Sequence, residues 1–157
     1  NPAGAPNQVV GVFSSELVRP IAEVLRNLGS QHILVVHAQD GMDEISISSV
    51  TEVAELKDGQ IQCYQITPEE FGLARAPLDS IRVASPAESL ALIQRVLANQ
   101  PSPARDIVCL NAGAAIYVAG CADSLAAGVA RAHSVLADGA AAYKLEQLIA
   151  FSQGRTA

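Results

Sequence analysis

The feature that most constrains the fold is a pair of short apolar runs, residues 8–13 and 33–36, separated by one amphipathic stretch. Both runs are continuous rather than alternating, which is typical of strands covered on both faces of a sheet. The stretch between them predicts a helix, with Ser14 or Ser15 as its N-cap and Gly29 after its last turn. Its apolar positions are Val18, Ile21, Ala22, Leu25 and Leu28. The sequence therefore predicts a βαβ unit with parallel strands, in which ligands bind beyond the carboxyl ends of the strands.

The next segment predicts a hairpin. Residues 53–56 and 61–66 are separated by Asp58-Gly59, a dipeptide that tolerates the positive φ values of a type I′ turn. The sheet is therefore expected to be mixed. The motif TPEE at residues 67–70 then combines a cap residue, a proline and a glutamate in the spacing of a short capped helical turn, expected to end near Gly72.

The remainder of the chain has helical periodicity. Ser85, Ser102 and Ser124 are the expected N-caps of three helices. The second of these, residues 104–119, is apolar nearly all round and is expected to be central and enclosed. The third either continues past Gly139 or breaks there. The apolar faces are Leu90, Ile93 and Leu97 in the first helix, and Leu125, Val129, Ala132 and Leu136 in the third.

This order of elements predicts an α/β fold in a single domain over residues 1–157. The domain consists of a mixed sheet, with a parallel βαβ start and a hairpin, flanked by helices on both sides. The C-terminal half is mainly helical. Half of the residues are hydrophobic, which is enough to bury a real core.

Charge and composition exclude several classes of partner. The net charge of −6 opposes binding to nucleic acid or to a membrane surface. No apolar stretch approaches the roughly 18 to 20 residues that span a bilayer, and the N-terminus lacks signal-peptide features, so we expect a cytoplasmic protein. Cys63, Cys109 and Cys121 form no CxxC pair and are expected to be small apolar fillers. Because the only methionine is Met42 and the chain starts in an Asn-Pro loop, we expect either processing or, as the favoured alternative, a piece of a longer protein.

The strongest candidate for a functional site is the stretch HAQDGMDEIS at residues 37–46, which follows the second predicted strand. In a loop, the adjacent carboxylates of Asp43 and Glu44 can converge on one hydrated cation, and Mg²⁺ prefers one or two carboxylates together with waters and phosphate oxygens. Gly41 would allow the tight backbone approach. The alternative is a solvated acidic loop, since a second acidic pair in the chain, at residues 69–70, is already explained by helix capping.

Two other polar residues have a functional and a structural interpretation. His37 ends the second strand and either contacts a ligand or is an edge histidine hydrogen-bonded to backbone. Asn111 is isolated in an apolar helix, where neighbouring backbone is expected to satisfy its amide. His32 and His133 suggest only loop and helix surface. The chain contains no P-loop, no GxGxxG after a strand, no GxSxG and no HExxH, so it has no obvious glycine-rich cradle for a phosphate.

Taken together, three stretches resemble the anthranilate phosphoribosyltransferase family. They are NPAGAPNQVVGVFSSELVRPIAEVLRNLGSQHILVVHAQDGMDEIS, TPEEFGL and LNAGAAIYVAG, and the resemblance extends over essentially the whole chain. It corresponds to the C-terminal part of the large α/β domain of that family. Family members carry ahead of this part a small helical domain and further strands with a GTGGD diphosphate loop, an NxST stretch and a KHGN stretch, none of which is in this sequence.

The resemblance implies transfer of the ribose phosphate of phosphoribosyl diphosphate onto the amino group of anthranilate in tryptophan biosynthesis. The Asp-Glu pair of the family, which ligates Mg²⁺ at the diphosphate, corresponds to Asp43 and Glu44. The chain alone is then expected to be inactive, no anthranilate-binding residue can be assigned in it, and the full-length enzyme is expected to dimerise through the helical domain. Family members often have glycine in place of Ala38 and alanine in place of Gly113, exchanges of one small residue for another that leave the resemblance intact.

Two other functions are compatible with the same residues. One is a different enzyme, either one resembling the pyrimidine-nucleoside phosphorylases, which share the fold, or a sequence-related paralogue with another acceptor. The other is a non-catalytic module that uses the fold for binding or assembly, against which the presence of Asp43-Glu44 argues.

Overall fold

Within residues 4–154, four strands form one mixed sheet, and their spatial order is the order in which they occur along the chain. They are β1 (Asn7–Gly11), β2 (His32–Ala38), β3 (Thr51–Lys57) and β4 (Gln60–Ile66). β1 and β2 are parallel and are connected by helix α1 (Val18–Asn27), whereas the β2–β3 and β3–β4 pairs are antiparallel. The predicted βαβ unit, hairpin and mixed sheet are confirmed.

This computed structural model describes residues 4–154. The expected Asn-Pro start of the chain and residues 155–157 lie outside the described part. Within residues 4–154, no helix combines the length and the apolar character needed to cross a membrane.

Four further helices follow the sheet. They are α2 (Pro86–Leu97), α3 (Pro103–Val118), α4 (Leu125–Ala137) and α5 (Ala140–Ser152). α2, α3 and α4 begin at the predicted caps, because the hydroxyls of Ser85, Ser102 and Ser124 each accept a hydrogen bond from the backbone N–H three residues later, at 3.1–3.2 Å. Gly139 adopts a φ of +72° between α4 and α5, so the helical segment breaks there rather than continuing.

Short 3₁₀ turns complete the backbone. The turn Pro68–Phe71 has the predicted capping box and ends at Gly72 with a φ of +72°. The turn Leu78–Ile81 lies in a segment expected to be loop. A third turn, Ser15–Leu17, precedes α1, and no serine side chain caps either element. The predicted side-chain N-cap of α1 is therefore wrong, because a backbone hydrogen bond from Leu17 to Ser14 closes this turn instead.

The hairpin between β3 and β4 has the turn that its sequence predicts. Asp58 and Gly59 have φ values of +50° and +75°. Positive φ at both central residues defines a type I′ turn, whose twist matches that of the flanking strands.

Strand β2 is covered on both faces. Leu34 and Val36 belong to an apolar cluster that includes Leu110 of α3, whereas Ile33 and Val35 pack on the opposite face with α1. All four strand residues are at most 1% exposed. This double burial explains why the second apolar run is continuous, and it confirms helices on both sides of the sheet.

The apolar face of α2 differs from the prediction. Leu90 and Ile93 are 53% and 47% exposed, while Val96 is buried and Leu92, one turn earlier, packs against the same cluster; Leu97 is partly buried there as predicted. α2 packs against α3 on the side that carries Leu92, Val96 and Leu97, which leaves Leu90 and Ile93 more exposed. Helix periodicity alone did not identify this side.

The three cysteines differ in burial. Cys109 is a buried filler as predicted, and burial raises the pKa of its thiol to about 11. Cys63 and Cys121 are exposed, so the prediction is wrong for both. Cys63 lies on the edge strand β4, where its Sγ is 3.8 Å from the exposed guanidinium of Arg19, and Cys121 lies in the turn after α3.

Helices α3 and α4 approach each other at two glycines. A Cβ atom at Gly113 would lie 2.5 Å from the backbone nitrogen of Val129, and one at Gly128 would lie 2.2 Å from the carbonyl oxygen of Gly113. α3 is the central helix, as predicted, although Val108 on one side is 44% exposed. Alanine, which family members often have at the position of Gly113, would therefore not fit here without a shift of the helices, because the nearest obstruction is the backbone of Val129.

A polar cluster lies between the sheet and the end of α3. The carboxylate of Glu55 accepts hydrogen bonds from the hydroxyls of Tyr117 and Tyr64, at 2.7 and 2.9 Å, and lies 3.0 Å from Nε2 of His32. Burial alone would raise the pKa of Glu55, but the hydrogen bonds from Tyr117, His32 and Tyr64 outweigh it and hold the pKa below its ordinary value. The charged form of Glu55 is therefore the form that the fold stabilises.

We predict that Gly113→Val destabilises the chain by at least about 2 kcal/mol, because the added branches meet the backbone of α4 and force the helices apart. The measurement is urea unfolding of the 157-residue chain. The matched control is Ala115→Val on the exposed side of the same helix, expected to change the free energy of unfolding by no more than about 0.5 kcal/mol. Equal losses for the two variants would show that the helix crossing is not tightly packed.

We also predict that Glu55→Gln destabilises the fold at neutral pH by about 1–3 kcal/mol, because hydrogen bonds to a charged group are lost or weakened. Since the folded pKa is depressed, this stabilisation is present above the ordinary glutamate pKa of about 4.3 and is lost as the pH falls below it. The difference between wild type and variant, measured by unfolding from pH 7 to pH 3, should therefore shrink on acidification. Glu146→Gln on exposed α5 removes the same charge and should show no such convergence.

Candidate functional site

The loop between β2 and β3, residues 39–50, crosses over the carboxyl end of the parallel strand pair. Gly11, the last residue of β1, lies directly beneath it: a Cβ atom there would be 1.5 Å from the carbonyl oxygen of Asp43. Gly41 makes the turn into the loop with a φ of +94°. The backbone of Asp43 is thus held at the edge of the sheet where ligands bind in such folds.

Asn111 of α3 clamps the same loop from the other side. Its Oδ1 accepts a hydrogen bond from the backbone N–H of Ile45 at 2.9 Å, and its Nδ2 donates to the carbonyl oxygens of Ile45 and Ile107, at 2.9 and 3.1 Å. The predicted satisfaction of this amide by backbone is confirmed. Ile45, its partner, directly follows Glu44. The Asn111 side chain bonds both the N–H and the C=O of Ile45, as a neighbouring strand would.

The side chain of Asp40 is hydrogen-bonded to several other residues of the loop. Its Oδ1 accepts a hydrogen bond from the backbone N–H of Met42 at 3.2 Å, and its Oδ2 accepts from the hydroxyls of Ser46 and Ser48. Partial burial would raise the pKa of Asp40, but the hydrogen bonds from Ser46 and Ser48 dominate and lower it. This carboxylate is directed into the loop rather than towards solvent.

Asp43 and Glu44 differ from Asp40 in having no protein partner. Both are exposed, and across residues 4–154 neither side chain makes a hydrogen bond or an ion pair. The other adjacent acidic pair is used within the fold: Glu70 closes its capping box with the backbone N–H of Thr67 at 2.8 Å, and Glu69 pairs with Arg75 at 2.7 Å. Only the pair in the loop after β2 is therefore available to an outside cation.

The donor set fits a hard cation held in part by other ligands. Carboxylate oxygens are the ligands of Mg²⁺, which commonly takes one or two of them and completes its shell with water and phosphate oxygens. In the described part of the chain, no three His, Cys, Asp or Glu side chains are grouped so as to hold a metal ion by themselves. Asp43 and Glu44 could hold Mg²⁺, but only together with ligands supplied from outside this chain.

His37 follows its structural interpretation. Its Nδ1 lies 2.8 Å from the carbonyl oxygen of Val12, in the segment that leaves β1. This contact ties the ends of the two parallel strands together. His32 belongs to the Glu55 cluster rather than to a loop surface, and Nδ1 of His133 lies 3.5 Å from Sγ of Cys109.

Sequence reasoning did not assign roles to Gly11, Asp40, Ser46 or Ser48. For Asp40 a signal was available, because an aspartate whose carboxylate reaches the N–H two residues later forms an Asx turn, and DGM is a typical sequence for one. Gly11 gave no such signal, because its partner, Asp43, is distant in the sequence.

Comparisons with known proteins agree with this architecture. The chain is 58% identical over 152 residues to an anthranilate phosphoribosyltransferase of Thioalkalivibrio sulfidiphilus, covering 97% of this chain and 45% of that protein. The structure is similar to that of anthranilate phosphoribosyltransferase from Thermus thermophilus, with a TM-score of 0.87 and 45% identity over 96% of this chain and 44% of that one. The chain therefore spans somewhat less than half the length of the curated relatives it matches.

A more distant structure shares the fold alone. It is anthranilate phosphoribosyltransferase from Saccharomyces cerevisiae in complex with PRPP and Mg, with a TM-score of 0.79 and 23% identity over 89% of this chain and 41% of that one.

A family model described as "Glycosyl transferase family, a/b domain" matches residues 1–142, which is most of the chain. This match and the relatives above confirm the resemblance inferred from the sequence. The chain belongs to this glycosyl transferase family.

Proposed function

We propose that the protein to which this chain belongs transfers the ribose phosphate of phosphoribosyl diphosphate onto the amino group of anthranilate, with release of diphosphate, as a step of tryptophan biosynthesis in the cytoplasm. This chain contributes the Mg²⁺-binding part of the active site. The observation that carries the proposal is the pair Asp43 and Glu44, exposed, without protein partners and held at the carboxyl end of the parallel strands. The 58% identity to an anthranilate phosphoribosyltransferase supports the choice of reaction.

The site suits a reaction in which charge separates. Breaking the bond between C1 of the ribose and the diphosphate oxygen leaves positive charge on the ribose and negative charge on the leaving group, so fixed electrostatics matter more than a protein nucleophile. Bound Mg²⁺ would neutralise charge on the leaving diphosphate. The task of Asp43 and Glu44 is to hold that ion, and Gly11 and Asn111 fix the backbone that carries them.

The proposal includes a division of labour within a larger protein. Residues 1–157 form one α/β unit of a two-domain enzyme, and the diphosphate loop, the anthranilate site and a helical dimerisation domain are contributed by other segments. Two observations support this: the relatives are more than twice as long, and this sequence has no glycine-rich phosphate cradle. The chain alone is accordingly inactive.

We predict that Asp43→Asn and Glu44→Gln, made in the protein encoded by the complete reading frame, each lower kcat/KM for phosphoribosyl diphosphate by at least roughly 10-fold. Loss of a partner outside the ligand shell already costs about 10–100-fold in metal affinity, and these residues are the ligands themselves. The measurement is the anthranilate-dependent loss of fluorescence across a Mg²⁺ titration. Asp58→Asn and Glu146→Gln make the same chemical changes at other exposed positions and should leave the kinetics at wild-type values.

Wild-type kinetics of both site variants at every Mg²⁺ concentration would contradict the assignment of the ligands. Turnover of a pyrimidine nucleoside with phosphate, in the absence of any reaction with anthranilate, would identify a nucleoside phosphorylase instead. A complete reading frame without a GTGGD loop, encoding a protein that reacts with neither substrate, would identify a binding or assembly module.

A further inference from the structure

We propose that Asp40 is a positioning residue for the Mg²⁺ ligands, in addition to Asn111: its carboxylate closes the loop after β2 in the shape that presents Asp43 and Glu44 together. The inference rests on the proposed function of that pair and assigns Asp40 no contact with the metal or the substrates. Asp40 lies in the same acidic stretch as the two ligands but does not group with them as a third candidate ligand.

Every hydrogen bond that the structure shows for the Asp40 carboxylate is to another residue of the loop. Oδ1 accepts from the N–H of Met42, which turns the chain towards Asp43, and Oδ2 accepts from the hydroxyls of Ser46 and Ser48, which follow Glu44. One carboxylate thus bridges the segment before the ligand pair and the segment after it. The residues between them form a loop closed by this carboxylate, and the loop includes the exposed side chains of Asp43 and Glu44.

The far side of this bridge is anchored in the core. Ser46 is fully buried, and its backbone N–H donates to the hydroxyl of Thr51 at 3.1 Å. Thr51 is itself fully buried and lies at the start of β3. The hydroxyl of Ser46 in turn accepts from the N–H of Ser48 at 2.9 Å. Asp40 is therefore connected to the sheet through Ser46, whereas Asp43 and Glu44 are exposed and have no such connection.

A structural reason for this arrangement lies in the ligand pair itself. Two exposed carboxylates on a free loop would have to be ordered each time a cation bound, and that lost entropy would weaken binding. A loop closed in advance by Asp40 avoids this loss, as supporting residues do around other metal sites. Asp40 should consequently affect metal affinity more than the rate at saturating metal.

The first measurement needs neither metal nor substrate. In the 157-residue chain, Asp40→Asn should accelerate amide hydrogen exchange at Met42, Ser46 and Ser48 by at least about 10-fold and leave β2 and β3 unchanged, because local opening of the loop becomes easier. Asp58→Asn removes the same charge from the hairpin turn and is the matched control, expected to leave exchange in the loop at the wild-type rate.

The second measurement uses the protein from the complete reading frame with phosphoribosyl diphosphate, and Mn²⁺ as the observable substitute for Mg²⁺ in electron paramagnetic resonance. Asp40→Asn should raise the Mn²⁺ dissociation constant roughly 10–100-fold, while kcat at saturating Mg²⁺ stays within about 2-fold of wild type. Ser46→Ala with Ser48→Ala keeps the charge of Asp40 and removes its donors, so it should weaken Mn²⁺ binding in the same way. Ser48→Ala alone is the milder variant if the others fail to fold.

The proposal is overturned if Asp40→Asn loosens the loop without changing Mn²⁺ affinity, or leaves loop exchange unchanged. It is equally overturned if Asp40→Asn weakens Mn²⁺ binding and the serine variants do not, since Asp40 would then act through its charge or as a ligand. Failure of the proposed function has a different signature: Asp43→Asn and Glu44→Gln would leave Mn²⁺ affinity unchanged with Asp40 intact, which overturns both proposals together.

Discussion

The burial of β2 on both faces is the constraint on which the rest of the structure depends. A strand with apolar side chains in both directions needs a layer on each side, and α1 and α3 supply those layers through separate clusters. Because both faces are occupied, polar groups of this strand are confined to its ends. His32 at one end joins the Glu55 cluster, and the loop after Ala38 at the other end carries the acidic residues.

The parts of the fold that were predictable are those encoded by residues close together in the sequence. The serine caps of α2, α3 and α4, the Asp58-Gly59 turn and the alternation between strand and helix all depend on neighbours within one or two turns. The buried side of α2 was not predictable in this way. Its pattern offers more than one apolar stripe, and packing against α3 selects the stripe containing Val96.

In the candidate site too, the residues that could be predicted are those marked by features local in the sequence. Asp43 and Glu44 were identified from their position after a buried strand, which is a local feature. Asn111 fixes the backbone next to them and Gly11 leaves room for it, yet each acts on a segment far away in the sequence, Asn111 on a residue 66 positions earlier. The capping motif at residues 67–70 already accounted for one of the two acidic pairs, whereas the ion pair of Glu69 with Arg75 was not predicted. The distinction is that Glu69 and Glu70 have partners in the fold, and the loop pair has none.

Helix α3 has a mechanical role that follows from two of its residues. Asn111 is hydrogen-bonded to Ile45 in the loop after β2, and the backbone of Gly113, two positions later, lies against Val129 of α4. No flexible side chain lies at the second contact to absorb a shift, so α3 behaves as a rigid spacer between α4 and the loop. A shift of α4 would therefore move α3 as well. Through the hydrogen bonds of Asn111, it would change the position of Ile45 relative to the sheet. The packing of α4, which contributes no residue to the candidate site, therefore helps to determine the positions of Asp43 and Glu44.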